Sequence, residues 1–131
     1  MITVVNRSWL NPLTGYYAIK GVAKQNGPSA DLSVAFHKKE PTDKSNYHVI
    51  DTDYDSYAVV YDCSEMGLNK GESFWILARE NTMELDKRQD ILDRAREAVG
   101  YDTSRVHLTS HVRCEYDWSE ITPTNAPSFL H

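Results

Sequence analysis

The sequence predicts a mainly β domain: an up-and-down antiparallel β-barrel of about seven strands, with one C-terminal α-helix packed outside. Short segments rich in β-branched and aromatic residues alternate with turn signals as far as Arg79. One segment with helical spacing follows, and a further β-like segment comes after it. Strands joined by short turns pair antiparallel, because parallel neighbours need long crossover connections. The order of these elements therefore favours a meander that closes on itself.

Seven segments are expected to form strands because they combine β-propensity with flanking turn residues. These are Ile2–Trp9, Tyr16–Lys24, Asp31–Lys39, Tyr47–Thr52, Tyr57–Cys63, Ser73–Arg79 and Arg105–Val112. Loops are expected at 38–46 and at 65–71. On the second strand, Ile19, Gly21 and Ala23 share one face, and the two small residues indicate a tight bend or a close backbone approach.

The sixth strand is apolar on both faces, so it needs a second layer outside the sheet. One face carries Phe74, Ile76 and Ala78, and the other carries Trp75 and Leu77. The segment that follows predicts that layer as a helix. Its packing surface is expected against the face of Phe74, Ile76 and Ala78.

The helix is expected over about residues 82–99. Thr82 is a suitable N-cap, and Gly100 stands where a C′ glycine ends a helix. A narrow stripe at helical spacing comprises Leu85, Arg88, Leu92, Ala95 and Val99, flanked by Ile91 and Ala98.

Length and charge limit the classes of function. The chain has 131 residues, enough for one domain, expected over 1–114 with an irregular tail over 115–131. The net charge of -5 means that long-range attraction to nucleic acid or anionic lipid is not expected, and nucleic acid is not predicted as a partner. No apolar run approaches a membrane span, so integral membrane association is not expected. The first ten residues lack the basic-then-apolar pattern of a signal peptide, so a secreted form would have lost that peptide.

The sequence offers no catalytic or metal-binding motif that survives inspection. Asp51, Asp53, Asp55 and Asp62 match positions of an EF-hand loop, but Ser56 stands where the invariant glycine is needed. A hairpin end with aspartates is the preferred interpretation. His107 and His111 are about 13 Å apart on a strand, too far to share one zinc ion. We therefore predict neither enzymatic activity nor a resident metal.

Aromatic side chains are frequent on the central strands, with eight Tyr, three Trp and three Phe in the chain. An eight-stranded barrel has room inside for side chains alone or for one small ligand. Tyr and Trp place a polar group on an apolar wall, which slightly favours a ligand cavity over a dry core.

Two segments carry a family resemblance. The run Tyr47–Cys63, centred on Thr52-Asp53-Tyr54, resembles the second lipocalin motif, and Phe74–Arg79 resembles the third. Tyr101–Arg105 follows the helix as in the apolipoprotein D, bilin-binding and bacterial lipocalin group. Ile2–Asn6 and Ile19–Ala23 are similar to the second and third strands of that group.

The resemblance implies an extracellular protein that carries or sequesters a small hydrophobic molecule, with no required cofactor and with a lipid, steroid, retinoid, carotenoid or bilin as ligand. The cavity residues that it implies, each of which can equally be plain core, are Trp75, Tyr47, Val49, Tyr57, Tyr61, Leu77, Phe36 and Val34.

The sequence also departs from the lipocalin pattern. The first motif, a Gly-x-Trp, is missing, so the resemblance implies the loss of the first strand. Open barrel edges at Ile2–Trp9 and Arg105–Val112 would favour a homo-oligomer or a partner chain. An assembly subunit is thus the alternative function. The family's N-terminal cysteine partners are also absent. Cys63 and Cys114 therefore pair together, stay as thiols or bridge to another chain.

Overall fold

The computed structural model describes residues 1–13, 15–37 and 39–114, so the expected tail over 115–131 lies outside the described residues. The described chain divides into two compact units, which meet in the sequence between Ser45 and Asn46. The first unit contains strands β1 (Ile2–Asn11), β2 (Gly15–Gln25) and β3 (Asp31–Phe36). The second contains β4 (Tyr47–Thr52), β5 (Tyr57–Met66), β6 (Asn69–Ala78), helix α1 (Leu85–Val99) and a short 3₁₀ helix at Thr103–Arg105.

The predicted fold class is confirmed. Within each unit the strands pair antiparallel with their sequence neighbours, β1 with β2 and β2 with β3, then β4 with β5 and β5 with β6. Helix α1 follows β6, as predicted, but within the described residues no strand follows the helix. The described residues contain six strands where seven were expected.

In the first unit, the small residue at position 21 allows a close approach between β2 and β3. Gly21 stands opposite Phe36, and a Cβ atom at Gly21 would lie 2.6 Å from the carbonyl oxygen of Ala35 and 2.7 Å from the Phe36 ring. No side chain larger than hydrogen fits at that distance. The close backbone approach expected on this strand is therefore confirmed at Gly21.

Strand β3 ends at Phe36, so its predicted extension to Lys39 is wrong. His37 takes a positive φ of 57°, which turns the chain out of the extended conformation. The following loop folds back onto the unit. The Thr42 N–H donates to Ser33 Oγ at 3.0 Å, and Lys24 Nζ forms an ion pair with Asp43 Oδ1 at 2.7 Å.

In the second unit, the predicted loop at 65–71 is wrong because both strands continue through it. Residue 66 stands opposite residue 69, so only Gly67 and Leu68 form the turn. Gly67 has a φ of 66°, the conformation that two-residue hairpins require of a central residue.

The core of the second unit lies between β5 and α1. Val59 and Ile91 are 0% and 1% exposed, and Phe74 and Ile76 pack against them. The predicted packing of the helix on Phe74 and Ile76 is therefore confirmed. Ala78 is exposed and does not belong to this contact.

The ends of α1 follow the prediction only in part. Gly100 has the left-handed conformation, with φ 69°, and its N–H donates to the Arg96 carbonyl at 2.9 Å, so the C′ assignment is confirmed. The N-cap is Glu84 rather than Thr82, and its side chain makes no capping hydrogen bond. Leu85, the first member of the predicted stripe, is mostly exposed.

The chain after α1 packs through one aromatic residue. Tyr101 is buried and stacks on Phe74, with ring centroids 5.0 Å apart. The predicted strand Arg105–Val112 is wrong. Its first residue ends the 3₁₀ helix, which the Asp102 carboxylate caps by accepting the Ser104 N–H at 3.2 Å, and the rest is irregular. β-branched residues form a strand only where a neighbouring strand pairs with them.

Candidate functional site

The register of β4, β5 and β6 decides which side chains share a face. Residues directly opposite each other in an antiparallel pair project to the same side of the sheet. Val60 stands opposite both Trp75 and Val49, and Ala58 stands opposite Leu77. These five side chains therefore lie together on the face of the sheet that α1 does not cover.

Tyr47 belongs to the same face because it precedes Val49 by two residues on β4. We call this set the open face: Tyr47, Val49, Ala58, Val60, Trp75 and Leu77. Trp75 and Leu77 are 45% and 47% exposed, whereas Val60 between them and β4 is 1% exposed. Partial burial raises the pKa of the Tyr47 hydroxyl above its ordinary value. The open face is thus an apolar surface with one phenol at its edge.

Tyr57 and Tyr61 do not lie on the same face of the sheet as Trp75. The predicted cavity residues on β4, β5 and β6 are therefore divided between the two faces. Tyr57 stands opposite Ala78 and Tyr61 opposite Phe74, which places both on the face covered by α1. Tyr57 is part of the helix–sheet core, and the ring of Tyr61 meets that of Tyr101 edge-on at 6.3 Å. Burial, followed by the hydrogen bond that its hydroxyl donates to Glu72 at 2.8 Å, raises the pKa of Tyr61.

The two remaining candidates lie in the first unit. Phe36 and Val34 stand opposite Gly21 and Ala23, so all four share one face of the β2–β3 pair. Both candidates are half-buried. Their part in ligand binding stays a prediction.

A depression of about 360 Å³ adjoins the open face where β4 and β5 meet. This volume falls within the range of small-ligand sites. Its lining comes from the β4–β5 turn and the ends of β5 and β6, and comprises Thr52, Tyr54, Asp55, Ser56, Tyr57, Ala58, Leu77, Ala78 and Arg79. Leu77 therefore belongs to both the open face and the depression.

The turn at one end of the depression is held by Asp53. Its Oδ1 accepts the backbone N–H groups of Asp55, Ser56 and Tyr57 at 3.1, 2.7 and 3.0 Å. The hydrogen bond from the Ser56 hydroxyl, and then that from the Tyr57 N–H, hold the pKa of Asp53 well below its ordinary value. Arg79 closes the same turn by donating from Nε to the Asp55 carbonyl at 2.6 Å.

Two residues of α1 form hydrogen bonds with this end of the sheet. Arg94 donates from Nη2 to Asp51 Oδ2 at 3.0 Å and to the Tyr57 hydroxyl at 2.8 Å. Lys87 donates to Ser56 Oγ at 2.7 Å and lies 5.3 Å from the centre of the Tyr57 ring. Burial, and then the hydrogen bond to Asp51, raise the pKa of Tyr57. The sequence did not single out Arg94, since an exposed arginine on a helix carries no signal of its partner.

Two of the four carboxylates of the EF-hand pattern are thus used within the fold. Asp51 binds Arg94, and Asp53 binds backbone amides. In the part of the chain that the structure describes, no group of three or more His, Cys, Asp or Glu side chains is placed to hold a metal ion. His107 and His111 are both exposed. Cys63 and Cys114, which both lie in the described ranges, are not joined by a disulfide.

Ala58 and Val60 are members of the open face that the sequence reasoning missed. The sequence feature that could have identified them is the two-residue turn at Gly67 and Leu68. Counting back from a two-residue turn pairs Val60 with Trp75 and so assigns both to one face.

The comparison with protein families agrees with this architecture. A model described as a lipocalin-like domain matches residues 1–111. The chain therefore belongs to the lipocalin-like family, whose members in general bind small hydrophobic molecules and are not enzymes. No curated protein matches the sequence significantly. No helix within the described ranges is both long and apolar enough to cross a membrane.

Proposed function

We propose that this chain carries or sequesters one small hydrophobic ligand, which it binds against the open face of β4–β6. A lipid, steroid, retinoid, carotenoid or bilin has the required chemistry. The observation that carries the proposal is the exposure of Trp75 and Leu77 on a sheet whose opposite face is already packed against α1. Family membership supports the general class of ligand.

The energetic argument rests on the contrast between the two faces. Phe74 and Ile76 on β6 are packed against the helix-side core, whereas their neighbours Trp75 and Leu77 stay half-exposed. Complete burial of a leucine side chain contributes about 1.5–3 kcal/mol. Covering the exposed half of Leu77 therefore contributes about half of that, and covering the larger ring of Trp75 contributes at least as much. Because Val60 beside Trp75 is almost completely buried, the ligand would rest on side chains that are already packed, which lowers the ordering cost of binding.

The test is a titration of retinol, an apolar fluorescent probe, into the full chain, followed by the emission of retinol itself, so that the readout does not depend on Trp75. Trp75→Ala is expected to weaken binding about thirtyfold, the size of a 2 kcal/mol hot spot. Leu77→Ala is expected to weaken binding about tenfold, because it removes most of a leucine side chain from the contact. Leu68→Ala is the matched control: this leucine is fully exposed at the far turn of the same hairpin.

Equal affinity in Trp75→Ala and the parent chain, with unchanged circular dichroism, would remove Trp75 from the site. A loss of affinity in Leu68→Ala as large as that in Leu77→Ala would indicate unspecific adsorption. Extraction of the purified protein, followed by mass and absorbance spectra, identifies a ligand retained from the source. Visible absorption would indicate a bilin or carotenoid.

The assembly hypothesis and secretion stay predictions. One of the two edges expected to pair with another chain, Arg105–Val112, is not a strand. β1, the other, is a strand that pairs with β2. Light scattering over a wide dilution range distinguishes a persistent monomer from an oligomer formed through β1.

A further inference from the structure

The β1–β2 hairpin ends in an apolar tip that none of the preceding functions uses. Leu13 in the turn is fully exposed, and Trp9, the last residue before the bulge on β1, is 55% exposed. Leu10, the bulged residue, is also exposed. We call Trp9, Leu10 and Leu13 the hairpin tip. Exposed large apolar groups concentrated at one turn mark an interaction site.

The residues behind the tip change in polarity step by step. Tyr16 stands opposite Trp9, and their rings meet edge-on with centroids 5.1 Å apart. The Arg7 guanidinium carbon lies 4.1 Å from the centre of the Tyr16 ring on the same face. From the turn inward, the hairpin therefore presents leucine, then tryptophan and tyrosine, then a cation about 13 Å from the end of β1.

Charge on this hairpin differs in sign from that of the whole chain. Residues 1–30 include the cations Arg7, Lys20 and Lys24 and no acidic residue, although the chain carries a net charge of -5. Lys24 is neutralised by Asp43 at the end of β2 remote from the tip. Arg7 lies on the half of the hairpin that carries the tip, and Lys20, opposite Val5, lies near the middle of β2 on the same face.

The other acidic residues of the described first unit also lie away from the tip. Asp31 begins β3, where Leu32 stands opposite Gln25 at the remote end of β2. Glu40 lies in the loop between Phe36, which stands opposite Gly21, and Thr42, whose N–H donates to Ser33 opposite Lys24.

We propose that the hairpin tip inserts into the interface of a lipid bilayer that contains anionic lipid. A bilayer surface has the same gradient: acyl chains accept leucine, the interface accepts tryptophan and tyrosine, and the headgroups accept arginine and lysine. Charge favours anionic lipid over a protein partner, because the cations lie at the depth where phosphate groups would be. The contact is peripheral, since one hairpin turn reaches only the outer layer of the membrane.

The experiment is sedimentation of the full chain with vesicles of phosphatidylcholine alone and of phosphatidylcholine mixed with phosphatidylserine. The parent chain is expected to bind the mixed vesicles more tightly, and added salt should reduce that difference. Leu13→Asp should weaken binding about tenfold or more, because it removes the leucine that would be buried in the bilayer and adds a charge in its place. Leu68→Asp is the matched control, an equally exposed leucine in the turn of another hairpin.

Two further readouts locate the contact. Lipids brominated in the acyl chains should quench part of the tryptophan emission, and Trp9→Phe should abolish that part. Lys20→Gln should weaken binding to the mixed vesicles about fivefold and leave binding to neutral vesicles unchanged.

Absence of sedimentation with either vesicle overturns the proposal, as does equal loss of binding in Leu13→Asp and Leu68→Asp. Self-association that Leu13→Asp abolishes, without vesicle binding by the parent chain, would assign the tip to a second copy instead. Binding that Lys20→Gln and salt leave unchanged on both vesicles would overturn the requirement for anionic lipid.

Discussion

Replacing Ile91 by alanine is expected to cost about 3–4 kcal/mol of unfolding free energy, in the middle of the range of about 2–5 kcal/mol for isoleucine truncation. Ile91 is 1% exposed and packs against Val59, which is completely buried, together with Tyr57 and Ala95. The cavity left by the substitution cannot collapse easily, because the sheet beneath it is paired on both sides of β5. A cost of this size is a large fraction of the stability of an ordinary domain.

The assay is urea unfolding followed by far-ultraviolet circular dichroism, with midpoint and slope compared across a series. Ile91→Val removes one methylene and should cost about 0.5–1.5 kcal/mol. Leu85→Ala is the control, because Leu85 lies on the same helix but is 73% exposed, and its cost should stay below about 0.5 kcal/mol. If Ile91→Ala cost less than about 1 kcal/mol, or no more than Leu85→Ala, the docking of α1 on β5 would be refuted.

Three further outcomes are expected. Gly21→Ala should cost about 1–3 kcal/mol, since its Cβ would lie 2.6 Å from a backbone oxygen. Gly71→Ala should cost far less, because its Cβ would lie 3.3 Å from the Ser64 hydroxyl and 3.8 Å from the Ser64 carbonyl oxygen; thermal melts compare the two. Folding lowers the pKa of Asp53, so its contribution to stability is present above the unfolded pKa near 4 and is lost as the pH falls below that value. Asp53→Asn should therefore remove part of the acid sensitivity of the melting temperature, measured in melts recorded across pH. An unchanged profile of melting temperature against pH would contradict this role of Asp53. Calcium or a chelator should leave the melting temperature unchanged, and a rise of several degrees with calcium would restore the EF-hand interpretation.

Local pattern in the sequence was enough for most of the secondary structure. Strand β4 has the predicted bounds, and α1 ends at Val99 before Gly100, as predicted. Both results follow from short-range physics. Alternation describes a half-buried strand, and a glycine relieves the steric cost of the left-handed C′ position.

The segment Arg105–Val112 shows where local pattern fails. Its composition favours a strand, yet the chain here begins with a 3₁₀ turn capped by Asp102 and continues without regular structure. Strand formation needs a partner edge, and no property of the segment itself reports whether one is within reach.

The assignment of residues to the site depended on tertiary contacts. Alternation correctly grouped Tyr57 with Tyr61, and Trp75 with Leu77, because alternate residues of a strand share a face. It carried no information on how the two strands are aligned, and a shift of one residue moves every side chain to the opposite face. The two-residue turn at Gly67 set that alignment, which buried Tyr57 beneath α1 and left Trp75 on the open face.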